Sequence, residues 1–115
     1  MIDYHSQVVS TLNQILPTYY EMVLHRGIST PCISYMELNN YAEDTGDTLG
    51  YSRITYQIKI WGNDIGVLQK YAQQTDIAMR KLGFKRTSTN ELYDNNSTMI
   101  QKILTFEALG KENFI

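Results

Sequence analysis

The segment from Tyr51 to Trp61 alternates between apolar and polar side chains, and it constrains the fold more than any other part of the chain. Its apolar and polar positions fall on opposite sides of an extended backbone: Ile54, Tyr56, Ile58 and Ile60 against Arg53, Thr55, Gln57 and Lys59. Such period-two alternation is typical of a β-strand with one buried face. The sequence therefore predicts a sheet with one face covered by the rest of the chain and the other free to meet water or another protein molecule.

A long amphipathic helix is predicted directly after this strand. Asp64, or Asn63 before it, can cap the helix N-terminus. Gly83 stands where a residue in the left-handed conformation commonly ends a helix. Between them, positions on one helical face recur at steps of three and four residues: Ile65, Leu68, Ala72, Thr75, Met79 and Leu82. We therefore expect this helix to cover the apolar side of the strand.

A first helix and four further strands complete the predicted elements. The helix begins at a cap formed by Asp3 or Ser6 and ends near Leu16, because Pro17 cannot complete the helical hydrogen-bond pattern. Residues 18–24 are rich in strand formers, although a continued helix is the alternative there. The four strands are predicted at Thr18–Leu24, Cys32–Tyr41, Phe84–Tyr93 and Thr98–Leu109, the last two forming a hairpin around residues 94–97.

The element order and the length of the chain together predict the fold class. A chain of 115 residues is of the size of one domain. Short hairpin connections favour antiparallel neighbours, and both helices fit on one side of the resulting sheet. We predict a single α+β domain over residues 1–115: a two-layer sandwich with an antiparallel sheet of four to five strands and two helices on one face.

Sequence motifs for catalysis, cofactors or metals are not found. His5, His25 and Cys32 lack the spacing of metal ligands, and the single cysteine cannot form an internal disulfide. The acidic loop over residues 43–50 lacks the ligand pattern of a calcium loop. A formal net charge of −2 gives no argument for generic binding to nucleic acids or membranes. The N-terminus also lacks a secretion-signal pattern, so we expect a protein made in the cytoplasm. From the missing motifs we expect that it is not an enzyme and has no catalytic, cofactor-binding or metal-binding residues.

One basic cluster offers an alternative function. Arg80, Lys81, Lys85 and Arg86 lie where the long helix ends and the next strand begins. Four cations can neutralise several phosphates, so a nucleic-acid-binding module is one interpretation. The other interpretation is a helix end, where cations favour the helix dipole, followed by a solvated strand start.

Three segments carry a resemblance to a known family. They are Pro31–Asn40 (PCISYMELNN), Tyr56–Trp61 (YQIKIW) and Asp76–Arg86 (DIAMRKLGFKR). In this order and spacing the chain resembles the small tail-completion proteins of long-tailed bacteriophages and of prophages of Gram-positive bacteria, which are also described as tail terminators or tail-to-head joining proteins. The resemblance spans roughly residues 16–109.

The resemblance implies an α+β fold and a structural role in the virion. It implies a homo-oligomer, usually a hexameric ring, that caps the tail tube, stops its polymerisation and presents a surface to the filled head. The implied partners are the major tail tube protein and a head-completion or neck protein, with no membrane. DNA would pass through the ring without sequence-specific binding. The protein would be made in the bacterial host cytoplasm and located in the virion at the head–tail interface. The family has no catalytic signature, so the resemblance assigns no individual residue a role.

A ring requires one patch of the subunit to contact a different patch on the next copy. The polar strand face supplies one candidate patch, and Trp61 is its best anchor if the indole is exposed, because tryptophan often contributes much of an interface's binding energy. The alternative is that the loop leading to the helix covers Trp61. Two tyrosines flank the acidic loop, and a phenylalanine lies near the C-terminus. The predicted interface residues are Tyr41, Tyr51, Arg53, Gln57, Lys59, Trp61 and Phe114.

Overall fold

The described residues form one five-stranded sheet and two helices. The computed structural model describes residues 3–20, 29–43, 51–94 and 98–111. Along the chain the elements are α1 (His5–Asn13), β1 (Thr18–Tyr20), β2 (Cys32–Glu43), β3 (Tyr51–Gly62), α2 (Ile65–Lys81), β4 (Lys85–Asp94) and β5 (Met99–Lys111). The strand order across the sheet is β1-β2-β3-β5-β4. The last strand of the chain therefore lies inside the sheet, between β3 and β4.

The sheet is mixed rather than wholly antiparallel. β2, β3, β5 and β4 pair antiparallel with their neighbours, whereas β1 runs parallel to β2. A tight hairpin forces antiparallel pairing, while a longer connection can return the chain to the end at which it started. β1 ends at Tyr20 and β2 begins at Cys32, a separation in sequence longer than a hairpin turn. The α+β class, the placement of both helices on one face and a mainly antiparallel sheet are confirmed, and the parallel strand β1 is the one departure among the described strands.

Both helices pack on the same face of the sheet. The predicted apolar positions of β3 are buried, and so are the residues that pack with them: Ile54, Tyr56, Ile58, Ile60, Leu104, Phe106 and Ala108 from the sheet, and Val8, Leu12, Leu68, Ala72, Thr75 and Met79 from the helices. Ile65, predicted on the same helix face, is instead 46% exposed, because it lies at the first residue of α2. Burying a side chain such as Leu or Ile contributes about 1.5–3 kcal/mol. This layer is therefore the main source of stability.

The first helix is shorter than predicted. Its N-cap residue is Tyr4 rather than Asp3 or Ser6, and the Tyr4 side chain bonds no backbone N–H of the helix. The carboxylate of Asp3, one residue earlier, accepts a hydrogen bond from the backbone N–H of His5 at 2.9 Å. The helix ends at Asn13, before Leu16. The Asn13 side-chain oxygen accepts from the backbone N–H of Thr18 at 3.2 Å, which ties the helix end to the start of β1. The helix thus ends in a side-chain-bonded turn before proline would interrupt it.

The second helix begins where the sequence predicts. Asp64 is the N-cap residue, and its carboxylate accepts hydrogen bonds from the backbone N–H groups of Gly66 at 2.9 Å and Val67 at 3.3 Å. These are two of the donors that a helix start leaves without an intrahelical partner.

The helix ends in a left-handed cap at Gly83. Gly83 has φ of +100°, which glycine adopts without the steric cost of a Cβ atom. The N–H of Gly83 donates to the carbonyl of Arg80 and the N–H of Phe84 to that of Met79, both at 3.0 Å. The cap turns the ring of Phe84 back into the core, edge-on to Tyr56 at 5.7 Å between centroids. Strand β4 consequently begins one residue later than predicted.

Strand β4 forms an edge of the sheet and is not covered on either face. All of its 10 residues are exposed. A register shift lies between Arg86 and Ser88, so regular pairing with β5 runs from Ser88 to Asp94. The sheet therefore extends sideways past the helical layer.

Candidate functional site

The sheet face opposite the helices contains most of the predicted interface residues. Because neighbouring positions on a strand point to opposite faces, Arg53, Gln57, Lys59 and Trp61 share the face away from α1 and α2. Tyr41 joins them, because it pairs directly with Arg53. We call this surface the helix-free face. It carries a line of residues along β3 and continues onto β2 and β5.

Two predicted interface residues cannot be located on this surface. Tyr51 begins β3, but its side chain lies outside the described part of the structure. Phe114 lies outside the described residues altogether. Their proposed contacts stay predictions.

Trp61 is buried rather than exposed. Its side chain is only 8% exposed, and its indole N–H donates a hydrogen bond to the hydroxyl of Ser34 at 2.9 Å. Ser34 is itself 3% exposed. The indole therefore bonds within its own subunit, and the exposure on which its anchor role depended is not found. An interface role for Trp61 stays a prediction.

The centre of the helix-free face is polar but partly covered. Gln57 and Lys59 are half-buried, and Thr55 and Ile103 beside them are each 8% exposed. Cys32 on the same face is fully buried. Burial raises the pKa of the Cys32 thiol, so this group stays protonated and is a poor nucleophile.

An exposed patch lies at the other end of this face from Trp61. Tyr41, Arg53 and Leu109 form a row across β2, β3 and β5, and the guanidinium of Arg53 pairs with the carboxylate of Glu107. The side chains of Tyr41 and Leu109 are 49% and 53% exposed. We call these four residues the Tyr41 patch. Leu109 and Glu107 were not predicted, although Leu109 falls out of phase with the buried Ala108 and so had to point away from the helices.

A cleft of about 290 Å³ opens on the helical side, between α2 and strands β4 and β5. Lys102 lies in it with its side chain 10% exposed, and its ammonium donates to the carboxylate of Glu91 at 2.6 Å. Lys102 is the residue that breaks the apolar pattern of β5. The cleft thus contains a paired charge rather than a reactive group.

The basic cluster is partly neutralised by an acid. The carboxylate of Asp76 lies 3.3 Å from Arg80 and 3.7 Å from Arg86. Arg80, one helical turn from Asp76, and Arg86, at the start of β4, thus share one counter-ion. Lys81 and Lys85 are exposed. The structure brings the four cations to one corner of the molecule and sets an acid among them.

Among the described residues, we find no group of three or more His, Cys, Asp or Glu side chains placed to hold a metal ion. Neither of the two described helices is long and apolar enough to cross a membrane.

Comparison with known proteins finds a similarity in structure but none in sequence. No family model matches the chain, and a comparison with curated proteins finds no match. The fold is similar to that of a chain in a solved structure described as the virion of a native gene transfer agent particle. The two share a TM-score of 0.53 and 13% sequence identity, over 90% of this chain and 84% of the other. At this identity the similarity shows that this chain and a component of that virion share a fold.

Proposed function

We propose that this protein is a structural component of a phage-like virion, and that it caps the tail tube as a tail-completion protein. Its copies form a ring, most simply a hexamer, that ends tube polymerisation and joins the tail to the head through a head-completion or neck protein. The observation that supports the proposal most is the fold shared with a chain of a gene transfer agent virion across 90% of this sequence. The three segments that resemble tail-completion proteins point to the same role.

The helix-free face suits a role in assembly. The Tyr41 patch combines an exposed aromatic ring, an exposed leucine and an ion pair whose side chains are 34% and 31% exposed. Aromatic and arginine side chains are enriched among residues that dominate binding energy at protein interfaces. We assign this patch to contact with the end of the tail tube. Gln57 and Lys59 extend the same surface toward the middle of β3. DNA passes through the ring without sequence-specific contacts, and the protein, made in the host cytoplasm, ends in the virion.

Tube capping provides the direct test. Purified protein is added to uncapped tubes of the major tail protein, and the tube ends are imaged in negative stain. We expect rings with a central hole at one end of each tube, and tube growth that stops when the protein is present. Bare tube ends at saturating protein concentration would refute the capping role.

Matched variants connect the test to the surface. Tyr41→Ala and Leu109→Ala are expected to weaken tube binding by about 1–3 kcal/mol each, as for interface residues of this kind. Ile77→Ala is the control, because Ile77 is 56% exposed but lies on α2, on the other side of the sheet. Equal losses from Ile77→Ala and Leu109→Ala would remove the Tyr41 patch from the contact.

Nucleic-acid binding through Arg80, Lys81, Lys85 and Arg86 is the weaker alternative. Asp76 offsets part of their charge, which lowers the gain from contacting phosphates. That function predicts an affinity for DNA that falls steeply with salt concentration and disappears when the four cations are replaced. Absence of binding at low salt would exclude it.

A further inference from the structure

The two outer strands of the sheet share an unusual combination of exposed apolar side chains. On β4, the adjacent residues Leu92 and Tyr93 are 55% and 59% exposed. On β1, the adjacent residues Tyr19 and Tyr20 are 41% and 52% exposed. Since neighbouring strand residues point to opposite faces, each edge presents one large side chain on either side of the sheet.

These edges are open within the described part of the chain, where β4 pairs with β5 and β1 pairs with β2. A strand edge with free backbone groups and exposed apolar side chains tends to pair with another strand. The irregularity of β4 is confined to its start, between Arg86 and Ser88. Its apolar pair lies within the regular stretch that follows.

The strand directions allow the two edges to join. β1 and β2 run in one direction, β3 in the opposite direction, β5 again with β1, and β4 against it. Rotation about a ring axis preserves the direction of a strand along that axis. The β4 edge of one copy therefore meets the β1 edge of the next copy in the antiparallel sense.

The register of the sheet shows which residues would meet. Following the paired residues across the sheet, Tyr19 is level with Ser34, Lys59, Ile103 and Asn90. An even offset keeps the two faces in phase between copies, because a slip of one residue exchanges them. An offset of two residues sets Tyr19 opposite Leu92 on the helix-free face.

The same offset sets Tyr20 diagonal to Tyr93 on the helical face, within reach of an aromatic side chain. Each exposed apolar residue on one edge would therefore contact an exposed apolar residue on the other edge.

We propose that the β4 edge of each copy adds to the β1 edge of the next copy, so that the sheet continues from subunit to subunit around the ring. The inference rests on the ring of the proposed function and specifies its copy-to-copy contact. The partner is a second copy of this chain, and the contact is head-to-tail.

Disulfide trapping tests the contact in the absence of any tube. The double variant Tyr19→Cys/Leu92→Cys, oxidised at high protein concentration, is expected to give a ladder of covalent oligomers that extends beyond the dimer on a non-reducing gel. Each single variant should stay monomeric, and a mixture of the two should stop at the dimer, because each copy then offers one of the two cysteines. The native Cys32 is fully buried and is present in every variant, so the single variants control for it.

The register has its own control. Asn90→Cys, combined with Tyr19→Cys, places the thiol on the same strand and face, two residues from Leu92. A ladder of equal strength from this pair would overturn the proposed offset. Absence of a ladder from Tyr19→Cys/Leu92→Cys, or dimers from Leu92→Cys alone, would overturn the head-to-tail contact.

A blocking variant separates this inference from the capping role. Leu92→Lys places a charge on the exposed edge and is expected to weaken self-association about tenfold to a hundredfold without lowering the melting temperature of the monomer. Ile77→Lys, at a site of similar exposure on α2, is expected to leave self-association unchanged. A ladder without tube capping would support the edge contact and refute the tail role. Capping that survives Leu92→Lys unchanged would overturn the edge contact alone.

Discussion

Lys102 and Glu91 form an ion pair whose two partners are expected to affect stability differently. Replacing Glu91 should destabilise the protein, whereas replacing Lys102 should leave it equally or more stable. The ammonium of Lys102 lies on the helical side of β5, with its side chain 10% exposed, while the side chain of Glu91 is 46% exposed. The two are joined by a hydrogen bond of 2.6 Å. Because of this unequal exposure, water can solvate the carboxylate of Glu91 if its partner is removed, but it reaches the ammonium of Lys102 much less easily.

Glu91→Gln leaves a largely buried ammonium without its carboxylate. Loss of a hydrogen bond to a charged group costs about 1.5–3 kcal/mol, and we expect the lower half of that range because water can enter through the open cleft. Lys102→Met removes the buried charge and adds an apolar side chain near Leu104 and Ala72, which line the same cleft. Glu91 is then solvated by water. We expect a change between zero and about 1 kcal/mol of stabilisation, as when apolar residues replace buried ions.

Urea and thermal unfolding of the two variants measure this asymmetry. The measurements are made at low protein concentration, so that they report on the isolated subunit. A difference of 1 kcal/mol corresponds to about 4 °C in melting temperature for a domain of this size. Glu107→Gln, in the more exposed pair with Arg53, is the control and should cost less than about 1 kcal/mol. If Lys102→Met destabilised the protein as much as Glu91→Gln, the pair would be a net contributor to stability and the reasoning would fail.

Substitutions at three further residues test the local structure. Gly83→Ala should cost about 1–2 kcal/mol in thermal unfolding, because φ is +100° while no atom lies within 4 Å of the added Cβ, and Gly83→Asn should cost less. Asp64→Ala should cost about 1 kcal/mol of unfolding free energy, since the helix start loses its capping carboxylate; a change below about 0.3 kcal/mol would contradict the cap. The pKa of the Tyr56 hydroxyl is raised above its ordinary value, mainly by burial and to a smaller extent by the charge of Glu37. The stability that depends on the protonated Tyr56 hydroxyl is therefore fully present below about pH 10, the pKa of tyrosine in the unfolded chain, and is lost as pH rises further. Tyr56→Phe should reduce the fall in unfolding free energy at alkaline pH.

Local signals in the sequence predicted much of the fold. Asp64 and Gly83 mark the ends of α2 through their own backbone preferences, and the alternation along β3 specifies its buried face without reference to any other strand. The parallel pairing of β1 could not be predicted, because strand direction depends on a contact between distant residues. The hairpin register shows the same limit. A turn at residues 94–97 would pair Tyr93 with Thr98, whereas the structure pairs Asp94 with Met99 and so sets Glu91 opposite Lys102.

The candidate site was predicted in part for a similar reason. The period of β3 placed Arg53, Gln57 and Lys59 together on the helix-free face. The period alone could not show that Trp61 is buried, because its partner Ser34 belongs to β2. Exposure on a sheet face depends on neighbouring strands, and the sequence specifies those only through long-range pairing.

The position of β5 inside the sheet affects how the protein folds during its synthesis. The ribosome produces β3 and β4 before the strand that joins them, so both wait with an unpaired edge until Met99–Lys111 has emerged. A truncated product that stops before Met99 would lack this joining strand and the core residues Leu104 and Phe106. Completion of the sheet and of its hydrophobic core therefore depends on a strand that is synthesised after both of the strands it joins.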